Sequence, residues 1–537
     1  MHRRTGYCLA LTSLLATAAA DELPGAEQLA AEGYVIGTVT LDKADVFDLT
    51  NPDENKWLYR VANRYHIITL DTTIAKQLLF AAGEPFDPRV IEESERILRA
   101  NKYLYDAAIK PVRAADGKVD LVVSTRDVWS LSPELSLSRK GGHTHTRFGL
   151  EEFNLLGRGQ RLRILRDDDV DRTERAIEFS DPHLGRSWVS FHTQYSDNSD
   201  GRSSTISAIR PFFALDTRWS AGAFLRADDR RDKIYQYAEA AAEYRHEQDY
   251  AWAFGGWSKG LRRGKARRWT AGVVYDDNRF SPVPNTSYAT VVPEDRRLVY
   301  PYLGFELVED GFVTTSNRDQ IDRTEDFQMG LQVRASLGWA DTAFGSDRDA
   351  AIFSMSASDG FGRLDETALL LSGSSQGRVE SGNLANTLLS LDARFYHRQS
   401  EKRTFYAAVS GTLGESLDLD NLVEIGGDTG LRGYPLRYQV GESKVLATIE
   451  QRYYTDWYPF RLARVGGAIF ADVGRVWGAN PVGPDNRGWL TDIGFGLRLA
   501  VTRISAGRVI HIDVAFPLNG DPDIDNVQFL VESKRSF

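Results

Sequence analysis

Cysteine is almost missing from this chain, with a single residue, Cys8, in 537. It lies within an N-terminal stretch that has the marks of an export signal. Arg3 and Arg4 open the stretch, Leu9 to Ala16 is mostly apolar, and Ala18-Ala19-Ala20 offers a small-residue cleavage site before Asp21. A chain starting at Asp21 has no thiol, so disulfides cannot hold its fold as they do in small secreted scaffolds. Cys8 also precedes the apolar run instead of following it, which argues against a lipoprotein anchor. Long apolar runs are missing too. None reaches the roughly 18 residues that a membrane helix needs, so membrane association has to come from strands or from the N-terminus. Loss of residues 1–20 removes two arginines and no acid, taking the formal charge from −10 to −12. That acidity argues against a nucleic-acid binder.

Signatures of catalysis are equally sparse. There is no G-x-S-x-G nucleophile elbow and no phosphate-binding loop. Asp428-Thr429-Gly430 is the triplet of aspartic proteases, but one copy supplies one aspartate where that chemistry needs two. His143-Thr144-His145 sets two imidazoles on one face without a third ligand nearby in sequence. The chain reads as a non-enzyme with neither cofactor nor metal.

Two patterns fill the rest of the chain. From Tyr34 to Trp129 the pattern is mixed α/β. Tyr34 to Leu41 predicts a strand, Thr72 to Ala82 and Arg89 to Ala100 predict helices, and Ala107 to Val112 and Val119 to Thr125 predict a hairpin around Ala115-Asp116-Gly117. After Pro133 the helical period vanishes. Phe327 to Trp339 alternates strictly over 13 residues, with Leu331, Val333 and Leu337 opposite Gln332, Arg334 and Ser336. Ile493 to Val501 repeats the pattern, its apolar set facing Asp492, Gly494, Gly496 and Arg498. Such segments suit membrane strands with an apolar outside and a polar inside. Roughly 400 residues at on the order of 25 per strand give about 16 strands. The predicted organisation is a signal segment over 1–20, a β-α-α-β-β domain over 34–130 and a transmembrane antiparallel β-barrel over 134–537.

Within the barrel region, Gly426-Gly427-Asp428-Thr429-Gly430-Leu431-Arg432-Gly433-Tyr434-Pro435 stands out. A solvent loop has no need of an arginine held between glycines and an aromatic. A loop folded into an enclosure does, since glycine permits close approach and a guanidinium can grip a buried carboxylate. Parity points Asp472 and Glu450 into the lumen: Asp472 lies between Ala471 and Val473, and Glu450 alternates with Ala447 and Ile449. At the end of the chain, Val527, Phe529, Val531 and Phe537 share one parity, as in a barrel-closing strand.

These residues resemble the BamA/TamA outer-membrane superfamily, in which periplasmic POTRA modules precede a 16-stranded barrel that inserts or translocates proteins. The β-α-α-β-β segment resembles one POTRA module, including Gly83-Glu84-Pro85-Phe86 and the stretch Glu93 to Tyr103. Glu152 to Gly159 resembles the start of the barrel, and Gly430 to Tyr434 the inward-folded loop with its Arg-Gly-aromatic tip. Phe470-Ala471-Asp472-Val473-Gly474 resembles the F-x-D-x-G strand whose aspartate meets the loop arginine, and Glu450 matches a second carboxylate. The resemblance implies an outer-membrane location in a Gram-negative cell, with the α/β domain in the periplasm. It implies unfolded or nascent polypeptide clients, bound by strand addition near Ala107 to Val112, together with the bilayer and a periplasmic accessory protein. It also implies a weak seam where Leu135 to Leu150 meets Val527 to Phe537, loosened by Gly141-Gly142 and by Gly157 and Gly159. Two-partner secretion transporters, passive pores and lipid-handling barrels remain alternatives; the first usually carry two POTRA modules and a plug helix.

Overall fold

The computed structural model describes residues 23–140, 143–169, 171–289, 291–321, 323–427, 429–483, 485–503 and 509–534. The predicted signal segment and Phe537 lie outside them. An N-terminal unit holds α1 (Ala26–Ala31), β1 (Val35–Ala44), α2 (Trp57–Tyr65), α3 (Asp71–Ala75), α4 (Pro88–Arg99), β2 (Leu104–Ala115) and β3 (Lys118–Asp127). Its sheet runs in the order β1-β3-β2, with β1 parallel and β2 antiparallel to β3. The α4 helix starts where its sequence directs, with the Asp87 carboxylate accepting from the Arg89 N–H and Pro88 in the first turn. Asp116 and Gly117, at φ 52° and 72°, make the tight turn between β2 and β3.

The helix predicted over Thr72–Ala82 is only α3. Beyond it, the Gln77 amide donates to the Thr73 carbonyl and the Tyr103 hydroxyl, and the Leu79 N–H is taken by the Ser94 hydroxyl. Tertiary partners thus capture the backbone that a longer helix would use.

From Leu131–Lys140 to Gln528–Lys534 the strands form a closed antiparallel ring, with the last strand beside the first. Twenty strands make the ring among the described residues, not about sixteen. The estimate from length assumed long loops, whereas several connections are two-residue hairpins. Tyr237-Ala238, Arg263-Gly264 and Ser381-Gly382 each place both turn residues at positive φ, the twist that tight hairpins need. The strand predicted over Phe327–Trp339 is also interrupted. Glu325–Gln328 pairs with Phe312–Thr315 in a separate hairpin, and only Gln332–Ala340 joins the ring. The Met329 and Gly330 N–H groups both turn to the Gly311 carbonyl, which alternation alone cannot reveal.

The ring is apolar outside and charged inside. Leu303, Leu337, Ile469, Phe495 and Phe529 are exposed on its outer face. Trp219, Trp257, Trp269 and Phe305 are successive cross-strand partners, forming an aromatic ladder near one end of the ring. Asp472, Arg498 and Asp513 are buried on the inner face.

The N-terminal unit packs against the turns at that same end. Arg503 donates to the Val46 carbonyl and to Glu54, Arg99 binds Asp326 through two nitrogens at 2.7 and 2.8 Å, and the Thr73 hydroxyl donates to the Gly157 carbonyl. Gly157 and Gly159 were expected to loosen the first strands. They are instead contact points: a Cβ on Gly157 would lie 2.8 Å from the Ile68 carbonyl oxygen, and one on Gly159 would lie 2.9 Å from the Tyr103 hydroxyl. Gly141 and Gly142 lie outside the described residues.

Candidate functional site: an inward loop gripped by lumenal carboxylates

The strands Arg403–Glu415 and Ser443–Tyr454 are joined by residues 416–442, which turn into the ring. Two short strands, Val423–Ile425 and Gln439–Gly441, pair to make the neck of this loop. At its tip the Gly427 N–H donates to the Pro435 carbonyl, and the Thr429 and Leu431 N–H groups donate to the Gly426 carbonyl. Leu431 and Tyr434 are fully buried, packed with Ile425 and Tyr438. The Tyr434 hydroxyl meets the Thr491 and Asn519 carbonyls at 2.9 Å. Gly430 has φ 116°, a conformation that side chains oppose. Asp428 lies outside the described residues.

The tip places Arg432 among carboxylates. Its Nε and Nη2 donate to the two oxygens of Asp472 at 2.7 and 2.9 Å, and Nη1 donates to Glu450 at 2.7 Å. The guanidinium stacks 3.4 Å from the ring centroid of Phe470. A planar fork bound to one carboxylate by two nitrogens and to another by the third fixes the tip in position and orientation. Gly433 is needed beside it. Its N–H donates to Asp492 at 3.0 Å, and a Cβ there would lie 2.5 Å from the Asp492 Cβ. Gly433→Ala is therefore expected to cost about 1–3 kcal/mol of loop docking through overpacking. Faster hydrogen exchange at Leu431 and Tyr434 would record it; unchanged exchange would show that the wall yields.

Several members of the cluster escaped the sequence reading. Asp492 faces Asp472 across two strands, Asp513 lies 4.0 Å from Arg432 and pairs with Arg498, and Arg452 donates to the second oxygen of Glu450 at 2.9 Å. Three arginines thus meet four carboxylates inside the ring. Parity already put Asp492 and Arg498 on the inner face, but strand register, not pattern, brings them to Arg432. Phe529 of the last strand points outward and Val531 shares its parity, while Leu530 turns inward against Phe470. His145 pairs with Asp167 at 2.6 Å.

The cluster is connected to the N-terminal unit. Arg452 also donates to the Arg318 carbonyl at 2.9 Å, reaching a loop that enters the ring from the opposite end. Ile321 of that loop packs with Tyr454, Ala468, Ala500 and Val509. Further along, Arg323 donates to the Tyr105 carbonyl on β2, and Asp326 holds Arg99 of α4. At the far end of the ring the Tyr237 N–H of a long hairpin donates to the Tyr438 carbonyl, and Arg437 binds Asp171. Segments of the chain thus enter the ring from both ends and are linked through Arg452 and Glu450.

Glu325 anchors the lower loop by accepting from the Arg318, Asp319 and Gln320 N–H groups. Burial, reinforced by the Asp319 charge, pushes its carboxyl up to about 7. A raised folded-state value means stabilisation that is complete below the unfolded value of 4.5 and lost as pH rises through about 7. Protection of the 318–320 amides is expected to fall across that window, after correction for intrinsic exchange, and Glu325→Gln should abolish the fall. A wild-type profile with no step would contradict this.

The β2 edge is less open than strand addition requires. Arg323 bonds the Tyr105 carbonyl, Arg99 the Ala107 carbonyl at 3.1 Å, and Glu95 the Ile109 N–H. Pro111 has no N–H to offer, so only a short stretch around Val112 stays exposed.

No protein-family model matches the chain, and no curated protein does. Solved structures similar to it include BamA from Haemophilus ducreyi lacking POTRA domains 1–3, at 14% identity over 92% of this chain and 84% of that one, with a TM-score of 0.37. Two others are CdiB from Acinetobacter baumannii and CdiB from Escherichia coli. Each is 12% identical; they cover 94% and 93% of this chain and 74% and 76% of theirs, with TM-scores of 0.44 and 0.46. Likenesses this distant assign no role.

Proposed function

We propose that the chain is an outer-membrane barrel of the BamA/TamA type that inserts or translocates polypeptides, with the N-terminal unit as a single periplasmic POTRA-like module. The exposed apolar outer face supports the membrane setting, since that surface in water would forgo roughly 25 cal/mol for each Å². The observation that carries the choice of function is the pair of segments that enter the lumen from opposite ends and are linked through Arg452 and Glu450. A passive pore needs an open path, and here the Arg432 loop and the Arg318 loop project into it from opposite ends. A polypeptide must therefore displace these segments, or pass beside the wall at the neighbouring first and last strands. A two-partner-type transporter needs the first route and an insertase the second.

The caps on β2 suggest how a client engages. An extended polypeptide adding to β2 competes with Arg323, Arg99 and Glu95 for the same backbone groups. Its arrival frees the lower loop, and that release reaches Arg432 through Arg452 and Glu450. A photocrosslinker at Val112, beside the caps, should capture extended polypeptides, and capture should rise in Arg323→Ala. Equal, background-level capture in both would reject the β2 route.

A further inference from the structure

Helix α2 has one wide apolar arc, and only part of it is used. Tyr59, Ala62 and Asn63 turn toward the N-terminal unit, where Tyr59 stacks on Phe47 at 4.3 Å between ring centroids and Asn63 exchanges hydrogen bonds with the Phe47 backbone. At about 100° per residue, Trp57, Leu58, Val61 and Tyr65 fall within roughly one quadrant on the other side. That face is bare: Trp57 is 70% exposed and Tyr65 72%. Water is a poor neighbour for two aromatics and a leucine on one helical face, so this side wants a partner.

Position and charge name the partner. The Tyr59 hydroxyl donates to the Phe460 carbonyl and Asp53 pairs with Arg461, setting α2 beside the turn between the strands Ser443–Tyr454 and Ala463–Trp477. That turn lies at the end of the ring carrying the N-terminal unit, and its Phe460 and Trp457 are exposed too. The bare face of α2 thus belongs to a helix fixed at the rim of the ring, beside two exposed aromatics of the rim itself. Lys56, Arg60 and Arg64 are exposed along one flank of the same face. Aromatics beside lysine and arginine on a surface helix are the composition that sits at a headgroup boundary.

We propose that α2, with Trp457 and Phe460, docks on the phospholipid leaflet around this end of the barrel and holds the N-terminal unit against the membrane surface. This rests on the reading of the barrel as membrane-spanning.

The test uses the full chain carrying Cys8→Ser, in vesicles of phosphatidylethanolamine and phosphatidylglycerol. An environment-sensitive fluorophore is placed at Leu58→Cys, and in a second sample at Leu337→Cys on the outer face of the ring. The Leu58→Cys label is expected to lose fluorescence to a headgroup spin label and to resist aqueous iodide. The loss should shrink when phosphatidylglycerol is left out or when Lys56, Arg60 and Arg64 become Gln. Quenching by iodide alone at position 58, with lipid quenching at 337, would overturn the docking and leave the barrel reading intact. Protection from both quenchers at position 58 would mean that protein covers the face, which also overturns it. No lipid quenching at either position would reject both readings.

Discussion

Arg432→Ala is expected to release the inward loop and lower barrel stability by about 3–5 kcal/mol. The substitution leaves Asp472 and Glu450 buried, with Asp492 and Asp513 close by and only Arg452 and Arg498 left as cations among them. The cost is chiefly that of the stranded carboxylates, because an ion pair taken whole from water gains little. Exchanging the partners, Arg432→Asp with Asp472→Arg, should recover part of the loss. The recovery will be incomplete, since the relocated guanidinium loses its stack on Phe470 and its bond to Glu450. The temperature at which the folded barrel unfolds reports the loss, and faster exchange at Gly427 and Leu431 places it in the loop. Single changes that leave both unmoved would show that the pairing carries no stability.

The second large effect concerns the other end of the lumen. Arg503 donates to the Val46 and Arg461 carbonyls and to Glu54, and its own carbonyl accepts from the Trp129 N–H at 2.7 Å. Arg99 of α4 holds Asp326 at a separate contact. Arg503→Ala leaves buried Glu54 with Arg126 and the Asp48 N–H alone, and Arg99→Ala takes the guanidinium from half-buried Asp326. Each change should weaken docking by on the order of 2–3 kcal/mol, adding because the contacts are separate. The combined variant is expected to convert a nearly silent protein into one with frequent, steady openings in planar-bilayer recordings. An equally silent folded variant would mean that docking of the unit does not close the lumen.

How far the sequence foretold this site depends on which interactions are local. Arg432 was legible because glycines and an aromatic around one arginine describe a loop under confinement, and parity aimed Asp472 and Glu450 inward. Asp492, Asp513 and Arg498 belong to three further strand positions whose meeting depends on register, and register is set by turns and bulges. The Phe327–Trp339 alternation misled because Gly311 and Gly330 break the strand through a contact distant in sequence. Helix α2 escaped notice for another reason. Trp57-Leu58-Tyr59-Arg60-Val61-Ala62-Asn63-Arg64-Tyr65 is nine residues long, under three turns, and has no side-chain cap at its start to mark it. The strand total was underestimated because hairpins such as Ser381-Gly382 take only two residues, and composition gives no warning of their tightness.

The central claim is that a self-closed barrel opens to handle polypeptides. Its most direct measurement is the folding rate of an unfolded outer-membrane barrel protein, added to vesicles that hold this chain, read by the appearance of protease-resistant product. The account predicts faster folding with the wild-type chain than with empty vesicles, and loss of that gain with Arg432→Ala. Equal rates in all three vesicle preparations would contradict it.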